Sequence, residues 1–250
     1  MQSGAKCAPP STVLVMRFAT WNCQGGLAKK VDVVRAIAPD VLLVQECQPG
    51  VDVGSGTSLW YPPYEGAAKG TGLFCSNGWS AEWLPRKGSA EWVMPARVRN
   101  ELLAVEFTLL AVWTNKNNGD NRPGYAEQFS IVLDLYGEVL RSGQCVVAGD
   151  LNASIQGPSR QPHEENLARV AALGMVSAYH HAMGCGHGEE SDMTLKWVGP
   201  GRKEYLYHCD FVFLPQGMAQ GTECRVFNTF GWPRRVSDHQ PVIVDGLSFM

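Results

Sequence analysis

The feature that most constrains this chain is a set of short apolar runs that each end abruptly in a polar residue. In VVAGDLNAS, residues 147 to 155, a run typical of a buried strand leads directly into a carboxylate and an amide. Burying an unpaired aspartate is costly, or it forces the group to give up its charge. The pattern therefore indicates strands whose ends meet where the charge of Asp150 is needed.

Amphipathic segments lie between these apolar runs and predict helices. Residues 123 to 143 begin with a proline near the first turn, end at a glycine and carry apolar side chains at helical spacing. Residues 163 to 174 form a second helical segment. A shorter one spans residues 27 to 38, with Leu27, Val31, Val34 and Ala38 on one face. Because the long helices lie between strands, the sequence predicts an α/β protein whose sheets are covered by helices.

Apolar runs bounded by glycine and proline predict the strands. These are residues 12–20, 41–45, 71–76, 79–84, 91–95, 102–114, 144–149, 193–198, 205–215, 224–230 and 241–246. No repeat, low-complexity block or long linker divides the chain. We therefore predict one domain over residues 12–250, preceded by a disordered tail at residues 1–11.

Composition narrows the function classes. A net charge of -3 over 250 residues gives no global basic field for bulk duplex DNA. No stretch approaches the roughly 20 apolar residues of a membrane span, and the start lacks the apolar segment of a signal peptide. Eight irregularly spaced cysteines favour reduced, buried thiols. We expect a cytoplasmic protein without a membrane span, acting as a monomer.

The polar residues at strand ends form a set of carboxylates and amides with one imidazole. They are Asn22, Glu46, Asp150, Asn152, Asp210, Asp238 and His239. Each alone has a structural role open to it as a turn or cap residue, so the hypothesis depends on their joint occurrence at strand ends. Four carboxylates in one place repel one another unless a cation neutralises them, and oxygen ligands suit Mg²⁺, Mn²⁺ or Ca²⁺.

Strand geometry sharpens this hypothesis. Positions i and i+2 share a face of an extended chain. Asp150 with Asn152, and His208 with Asp210, are therefore predicted to project in pairs into one cleft.

Five blocks carry a family resemblance. WNCQGG, PDVLLVQE, VVAGDLNAS, YLYHCDFVFLP and SDHQPVIV resemble, in order and rough spacing, the signature blocks of the endonuclease/exonuclease/phosphatase superfamily, from about Phe18 onward. The resemblance implies a four-layer sandwich, with two packed mixed sheets flanked by helices. It also implies Mg²⁺-dependent cleavage of a phosphate ester, with Mn²⁺ as an alternative ion.

The resemblance also implies roles for single residues. Asn22, Glu46 and Asp238 resemble metal-site residues, with Glu46 the principal ligand. Asp150 resembles the group that orients or deprotonates the attacking water. Asn152, Asp210 and His239 complete the catalytic set, as the amide that holds the phosphate, the residue that orients the imidazole, and the imidazole that contacts the phosphate.

Two positions depart from the family pattern. Many members carry a histidine or tyrosine where this chain has Trp113, and Asn115 is a candidate for the missing phosphate contact. Gln24 stands where some nucleases have an acidic residue, which favours a single metal ion.

Other residues carry weaker signals. Substrate contacts are assigned to Trp113, Asn115, His208, Arg234 and Arg235, with solvated surface as the competing interpretation of the arginine pair. Cys185 and His187 suggest zinc, but no second pair has matching spacing, so a surface loop is favoured. The adjacent pair His180 and His181 is interpreted as structural or peripheral.

The sequence thus predicts a metal-dependent phosphodiesterase acting on nucleic acid or a nucleotide-like substrate. One alternative is a phosphatase acting on a small or lipid phosphate, because the same site hydrolyses monoesters and diesters across the superfamily. A second alternative is an inactive relative that uses its cleft as a binding module, because Trp113 replaces a polar position.

Overall fold

The computed structural model describes residues 16–54, 56–116, 121–232 and 236–247. Within these ranges the strands β1 to β14 are Met16–Asn22, Val41–Cys47, Thr57–Tyr61, Gly70–Cys75, Trp79–Trp83, Val93–Asn100, Val105–Trp113, Cys145–Asp150, Met175–Ser177, Leu195–Val198, Glu204–Tyr207, Asp210–Pro215, Glu223–Val226 and Val242–Leu247. The helices α1 to α5 in the same ranges are Val31–Ile37, Tyr125–Arg141, Arg160–Ala172, Ala178–Met183 and Gln216–Ala219.

Two large mixed sheets form the centre of the fold. The first has the strand order β13-β14-β1-β2-β4-β3, and the second has the order β5-β6-β7-β8-β12-β9. Within each sheet one pair is parallel, β1 with β2 and β7 with β8, and the other pairs are antiparallel. Strands β10 and β11 form a separate small sheet.

Three apolar clusters explain the layering. The largest lies between the sheets, where Phe18 and Leu43 of the first sheet share a buried cluster with Leu109 of the second. The outer face of the first sheet packs against α1, and the outer face of the second packs against α2 and α3. Successive side chains of a strand point to opposite faces, so each buried strand supplies two of these clusters. The predicted four-layer α/β sandwich is confirmed.

The helix prediction near the amino terminus is wrong in detail. The chain forms a short 3-10 turn at Leu27–Lys29 and then α1, which ends at Ile37. Ala38 follows with a φ of 49° and is exposed. The buried face of α1 is Val33, Val34 and Ile37 rather than the predicted set. A left-handed residue before a proline ends the helix, because the helical conformation is disfavoured there.

The single strand predicted over residues 205–215 is two strands in different sheets. The chain leaves the small sheet after β11, and β12 begins at Asp210 in the second large sheet. His208 and Cys209 form the connection. The premise that His208 and Asp210 share one strand face therefore fails, and the two side chains lie in different surroundings.

Some predicted segments extend beyond the described ranges. The predicted tail at residues 1–11 lies outside them, as does the start of the first predicted strand. Over the described residues, no helix is both long enough and apolar enough to cross a bilayer. The cysteines of these ranges are all free thiols, and all except Cys185 are buried.

The topology brings several chain ends to one edge of the sandwich. Parallel β1 and β2 both end there in the first sheet, and parallel β7 and β8 end there in the second. Strand β12 is antiparallel to β8 and begins at this edge, so Asp210 lies directly opposite Asp150. Gly149 makes the approach of β8 to β7 feasible, because a Cβ at this residue, with φ 136°, would lie 1.8 Å from the carbonyl oxygen of Val112.

Candidate active site

Asp150 lies at the centre of the candidate site, at the end of β8. Its side chain is fully buried and accepts hydrogen bonds from Nδ2 of Asn22 at 2.9 Å and from Nδ2 of Asn152 at 2.9 Å. The backbone N–H of Asn152 donates to the second carboxylate oxygen at 2.8 Å. Asn152 has a φ of 45°, so these two side chains meet through a left-handed turn rather than along an extended strand.

His239 and Asp210 form a buried pair beside Asp150. Nδ1 of His239 lies 2.8 Å from Oδ2 of Asp210, which makes a hydrogen bond. Nε2 of the same ring is 3.9 Å from Oδ2 of Asp150, too far for a hydrogen bond. The imidazole therefore has one nitrogen held by Asp210 and the other directed toward the carboxylate at the centre of the site.

Hydrogen bonds to the surrounding strands hold the segment that carries His239. Ser237 donates its hydroxyl to the backbone carbonyl of Asn22 at 2.8 Å, and the indole N–H of Trp21 donates to the carbonyl of His239 at 3.1 Å. On the other side, an isolated bridge pairs His239 with Leu195 at the start of β10. The segment that carries His239 is thus held between β1 and the small sheet.

Glu46 marks a second part of the site. The residue has a φ of 59° at a β-bulge, where the register between β2 and β4 shifts. Its Oε1 accepts a hydrogen bond from Nδ2 of Asn22 at 3.2 Å, and its Oε2 lies 2.7 Å from Nζ of Lys69. Asn22 therefore bridges the carboxylates of Glu46 and Asp150 through a single amide nitrogen.

Gln24 connects this region to Asp238. The backbone N–H of Gln24 donates to Oδ1 of Asn22 at 3.0 Å, while its side-chain Nε2 donates to Oδ2 of Asp238 at 2.8 Å. Glu46, Asn22, Gln24 and Asp238 form one hydrogen-bonded chain of oxygen-bearing groups. Carboxylate and amide oxygens are the ligands that hard divalent cations prefer. The ammonium group of Lys69, 2.7 Å from Oε2 of Glu46, already places a positive charge beside this carboxylate.

Burial and neighbouring charges shift the pKa values at the centre. Removal from water raises the pKa of Asp150 well above the usual carboxyl range, with Asp210 adding to the rise and His239 opposing it. For His239, burial favours the neutral ring. The adjacent charges of Asp210 and Asp150 outweigh burial and raise its pKa well above the usual value. The structure therefore supports a protonated imidazole beside a carboxylate of unusually high proton affinity.

Asp150, Cys209, Asp210 and His239 together also have the spacing of a metal-binding group. A hydrogen bond between Nδ1 of His239 and Oδ2 of Asp210 accounts for part of this cluster. Burial raises the pKa of the Cys209 thiol, and the neighbouring charges of Asp210 and Asp150 raise it further. A thiol ligand binds a metal as the thiolate, so this cysteine is poorly suited to coordination. The oxygen-rich chain around Glu46 and Asp238 is the better fit for a hard cation.

Two cavities flank the network around Asp150, one on each face of β10. The aromatic cavity, of about 320 Å³, is lined by Tyr125, Asn152, Ser154, Leu195, Trp197 and Tyr207, among other residues. The Asp238 cavity, of about 310 Å³, is lined by Lys196, Val198, Glu204, Thr229, Phe230 and Asp238, among others. Leu195 and Trp197 face the first cavity and Lys196 and Val198 the second, because successive residues of a strand point to opposite sides.

Seven of the predicted site residues lie together in the structure. The structure brings together Asn22, Glu46, Asp150, Asn152, Asp210, Asp238 and His239 in the network described above. Trp113 ends β7 and is paired in register with Asp150. Arg234 and Arg235 lie outside the described residues.

Two residues predicted to contact substrate, Asn115 and His208, have hydrogen-bond partners outside this network. Asn115 donates its side-chain amide to the carbonyl of Trp113 at 2.9 Å, and its Oδ1 accepts a hydrogen bond from Arg122. His208 packs against Tyr179 and Phe211, and its Nδ1 donates to the carbonyl of Asp192 at 2.9 Å. Within the described residues, neither side chain is hydrogen-bonded to Asp150 or Asp210.

The sequence patterns do not reveal Lys69, Tyr125 or the aromatic cavity. Lys69 follows a polar loop without any motif, and only the fold brings it to Glu46. Tyr125 lies within the amphipathic helix predicted over residues 123 to 143, but it lines the aromatic cavity, and the charge of Asp150 adds to burial in raising the pKa of its phenol. Tyr125 lies in the first turn of α2, the end of a helix that favours negatively charged ligands. This position is the local feature of the sequence that indicates a role for Tyr125 in ligand binding.

Comparisons with known proteins agree with this geometry. A sequence profile described as the Endonuclease/Exonuclease/phosphatase family matches residues 19–239. No curated protein sequence matches significantly.

Three solved structures illustrate the structural similarity. The endonuclease domain of TRAS1, a telomere-specific non-LTR retrotransposon, is 19% identical and aligns over 92% of this chain and 97% of its own, with a TM-score of 0.63. Truncated TDP2 from Caenorhabditis elegans is 16% identical over 93% of this chain and 97% of its own, with a TM-score of 0.66. A 3' phosphatase, NExo, from Neisseria, bound to a product DNA hairpin, is 17% identical over 92% and 98%, with a TM-score of 0.63. At these identities the similarity establishes the fold.

Proposed function

The chain belongs to the endonuclease/exonuclease/phosphatase family, and from this premise we propose that it is a Mg²⁺-dependent phosphodiesterase acting on nucleic acid or a nucleotide-like substrate. Members of this family hydrolyse phosphate esters. The proposal adds to this the substrate class, the metal and the roles of single residues.

The two cavities on either side of the catalytic residues carry the proposal of a diester. A phosphodiester has two organic substituents, whereas a monoester has one. A phosphate at Asn152 and His239 can direct one substituent into the aromatic cavity and the other into the Asp238 cavity. Aromatic side chains such as Trp197 and Tyr207 bind nucleobases or sugars by stacking, independently of base sequence.

Asp150 is suited to act as the general base. Its raised pKa makes it a better proton acceptor than an ordinary carboxylate while leaving it ionised in the alkaline range. The three amide N–H groups of Asn22 and Asn152 fix the direction of its lone pairs. A water molecule held against Asp150 is thereby aligned for attack on phosphorus.

His239 is suited to bind the phosphate. Its protonated ring places a positive charge beside the reacting group, where transition-state charge accumulates on the phosphoryl oxygens. Asp210 holds the ring by its Nδ1 and leaves Nε2 directed into the site. Asp210 is therefore a positioning residue that acts through His239.

The oxygen-bearing chain supports a magnesium site. Glu46 and Asp238, with the amide oxygens of Asn22 and Gln24, are the residues that would hold the ion. A bound Mg²⁺ supplies charge neutralisation at the phosphate and at the leaving oxygen. Lys69 stays close enough to Glu46 to contribute further positive charge.

A metal-supplemented substrate panel tests the proposal. We expect cleavage of labelled single- or double-stranded oligonucleotides in Mg²⁺ or Mn²⁺ and loss of cleavage in a chelator. Release of inorganic phosphate from small monoesters without oligonucleotide cleavage would instead establish a phosphatase. Turnover of neither class, together with ligand-dependent thermal stabilisation, would establish an inactive binding protein.

Glu46→Gln is expected to raise the Mg²⁺ concentration needed for half-maximal activity at least about tenfold. The substitution keeps the shape of the side chain but removes the charge that attracts the cation. Its ion pair with Lys69 is partly exposed, with side chains 24% and 42% accessible, so the melting temperature should change little.

Glu138→Gln is the matched control for Glu46→Gln, because Glu138 is exposed on α2 and outside the site network. A metal titration of Glu46→Gln that superimposes on that of the wild type would remove Glu46 from the metal site.

Trp197→Ala and Tyr207→Ala are each expected to raise KM for an oligonucleotide by about 10- to 100-fold, with a much smaller effect on kcat. Stacking on one base contributes about 1–3 kcal/mol by alanine substitution. Steady-state kinetics on a defined oligonucleotide measures the effect. Leu102→Ala is the control, since Leu102 is an exposed apolar residue, 90% accessible, that does not line either cavity. Unchanged KM values in both aromatic variants would contradict a base in this cavity.

A further inference from the structure

A second group of ionisable residues lies beyond the catalytic network, around the ring of Phe211. Four imidazoles surround this ring at centroid distances of 5.2 to 6.2 Å. They belong to His163 of α3, His180 of α4, His187 of the following loop, and His208 between β11 and β12. Four histidines from four separate segments thus converge on one phenylalanine side chain.

A single buried carboxylate, Glu190, joins this group. Nε2 of His180 lies 2.9 Å from Oε1 of Glu190, and Nδ1 of the same ring lies 2.8 Å from the hydroxyl of Ser177. The second oxygen of Glu190 accepts hydrogen bonds from Nε2 of Gln156 at 2.7 Å and from the N–H of Gly188 at 3.0 Å. The rings of His180 and His187 are 3.7 Å apart between centroids.

Several ring nitrogens of the group have no hydrogen-bond partner within the part of the chain that the structure describes. They are both nitrogens of His163, Nδ1 of His187 and Nε2 of His208. His163 and His208 are almost completely buried, at 0% and 1% exposure. Nδ1 of His208 donates to the carbonyl of Asp192, so the unpartnered Nε2 carries a lone pair. Buried polar atoms without a partner are rare, and ligation of an ion is one physical reason for them.

The protonation states are those that metal binding requires. Burial lowers the pKa of His163 and of His187 to about 4, and burial also lowers the pKa of His208, so these rings are neutral at pH 7. Burial tends to raise the pKa of Glu190, but hydrogen bonds from His180 and Gly188 outweigh it and lower the pKa to about 2. Neutral imidazoles and an ionised carboxylate are the forms that coordinate transition metals.

We propose that His180, His187 and Glu190 bind a divalent transition-metal ion, with zinc as the best-fitting ion, at a site separate from the catalytic centre. Their ligand atoms lie within 4.8 Å of one another. A tetrahedral Zn²⁺ with bonds of about 2.0–2.2 Å holds its ligands about 3.3 Å apart. His187 is on a partly exposed loop and can make the adjustment of up to about 1.5 Å that this requires.

The surrounding hydrogen bonds have the pattern of a metal site. In the zinc-bound form the proton of His180 would lie on Nδ1 and be donated to the hydroxyl of Ser177, an outer partner of the kind that metal-bound histidines have, so that Nε2 would offer its lone pair to the ion in place of its hydrogen bond to Glu190. His208, with a ring centroid 5.4 Å from that of His180 and a free lone pair on Nε2, is a neighbouring imidazole for a fourth bond. Imidazole and carboxylate donors together suit zinc better than they suit magnesium.

The site joins three segments of the chain. The loop carrying His187 and Glu190 contacts α4 through His180 and contacts the segment after β8 through Gln156. That segment also carries Asn152. A metal ion here would brace this loop against the segment beside the catalytic residues, as a structural ion does, independently of the proposed phosphodiesterase activity.

Zinc content and thermal stability of the full chain test the proposal. We expect about one zinc per chain by mass spectrometry of protein purified without chelator. Removal of the metal should lower the melting temperature by about 5 °C or more, and added zinc should restore it. His187→Ala and Glu190→Gln should each weaken zinc binding at least about 100-fold, because even an outer partner contributes about 10- to 100-fold.

Two control variants distinguish zinc held at this site from zinc held elsewhere on the chain. His181→Ala alters an exposed histidine next to His180 and should bind zinc like the wild type. Glu46→Gln should also retain zinc, since it alters the catalytic cation site. Equal zinc affinity in His187→Ala, Glu190→Gln and His181→Ala would overturn the proposal, as would a wild-type chain that binds no zinc at micromolar concentration. An anomalous peak at the zinc edge between Glu190 and the two imidazoles would support it directly.

Discussion

Asp150→Asn is expected to lower kcat by about 10²- to 10⁴-fold, the range that a positioned general base contributes. The substitution keeps the size of the side chain and removes its ability to accept a proton. KM should change much less, because the cavities that hold the substrate are untouched. Single-turnover and steady-state assays in saturating Mg²⁺ measure the effect.

The loss should come from chemistry and not from unfolding. The folded protein raises the pKa of Asp150, which means that the fold disfavours its charge. An asparagine removes this buried charge, although one of its atoms then faces an amide donor of Asn22 or Asn152. We expect a net cost of about 1–3 kcal/mol and an unchanged circular dichroism spectrum. Retention of more than about a tenth of the wild-type kcat would remove Asp150 from the role of base.

Asp210→Asn is expected to lower kcat by about 10²- to 10³-fold and to change the pH dependence of the reaction. Asp210 is the principal charge that raises the pKa of His239, so its neutralisation lowers that pKa. In the proposed mechanism the ring of His239 is protonated. The alkaline limb of the pH profile of kcat/KM should therefore move to lower pH in the variant.

The free energy of unfolding should also depend on pH through the titration of His239. The pKa of His239 is raised in the folded state above its ordinary value of about 6.5. Its contribution to stability is therefore complete below that ordinary value and is lost as the pH rises through the folded-state pKa. In Asp210→Asn this pH-dependent loss should begin at lower pH. Thermal unfolding measured from pH 5 to pH 10 reports the difference.

A double variant separates the positioning role of Asp210 from a general loss of structure. Asp210 acts through His239, so Asp210→Asn combined with His239→Gln should be no slower than His239→Gln alone. Asp134→Asn, at an exposed ion pair with Arg169, is the control for loss of a carboxylate. An alkaline limb that stays in place in Asp210→Asn would contradict the link between the two residues.

Local sequence patterns predict the layers of this protein well. The apolar stripe of residues 123 to 143 predicts α2, observed as Tyr125–Arg141, and the run before Asp150 predicts β8. Each of these two patterns lies within a single helix or strand, so residues that are close in the chain are enough to predict it. The predicted helix face near Leu27 and the predicted strand through His208 are wrong because a left-handed residue and a change of sheet interrupt the periodicity there.

The polar residues of the candidate site can also be identified from the sequence. Carboxylates and amides that end apolar strands, such as Glu46, Asp150 and Asn152, stand out because placing them there is costly. Lys69, the aromatic cavity and the histidines around Phe211 have no such signal. For His187 in particular the sequence predicts only a surface loop, since no zinc spacing is visible along the chain.

There is a physical reason why some features can be predicted from the sequence and others are visible only in the folded structure. Which residues are buried and which elements they form follows from hydrophobic periodicity and turn propensities over a few neighbouring positions, and a single chain displays both. Which side chains meet depends on sheet register, on the angle at which two sheets pack and on turns such as the one at Asn152. Those are set by long-range packing, whose free energy is spread over the whole core, so Lys69 reaches Glu46 and four distant histidines surround Phe211 only in the folded molecule.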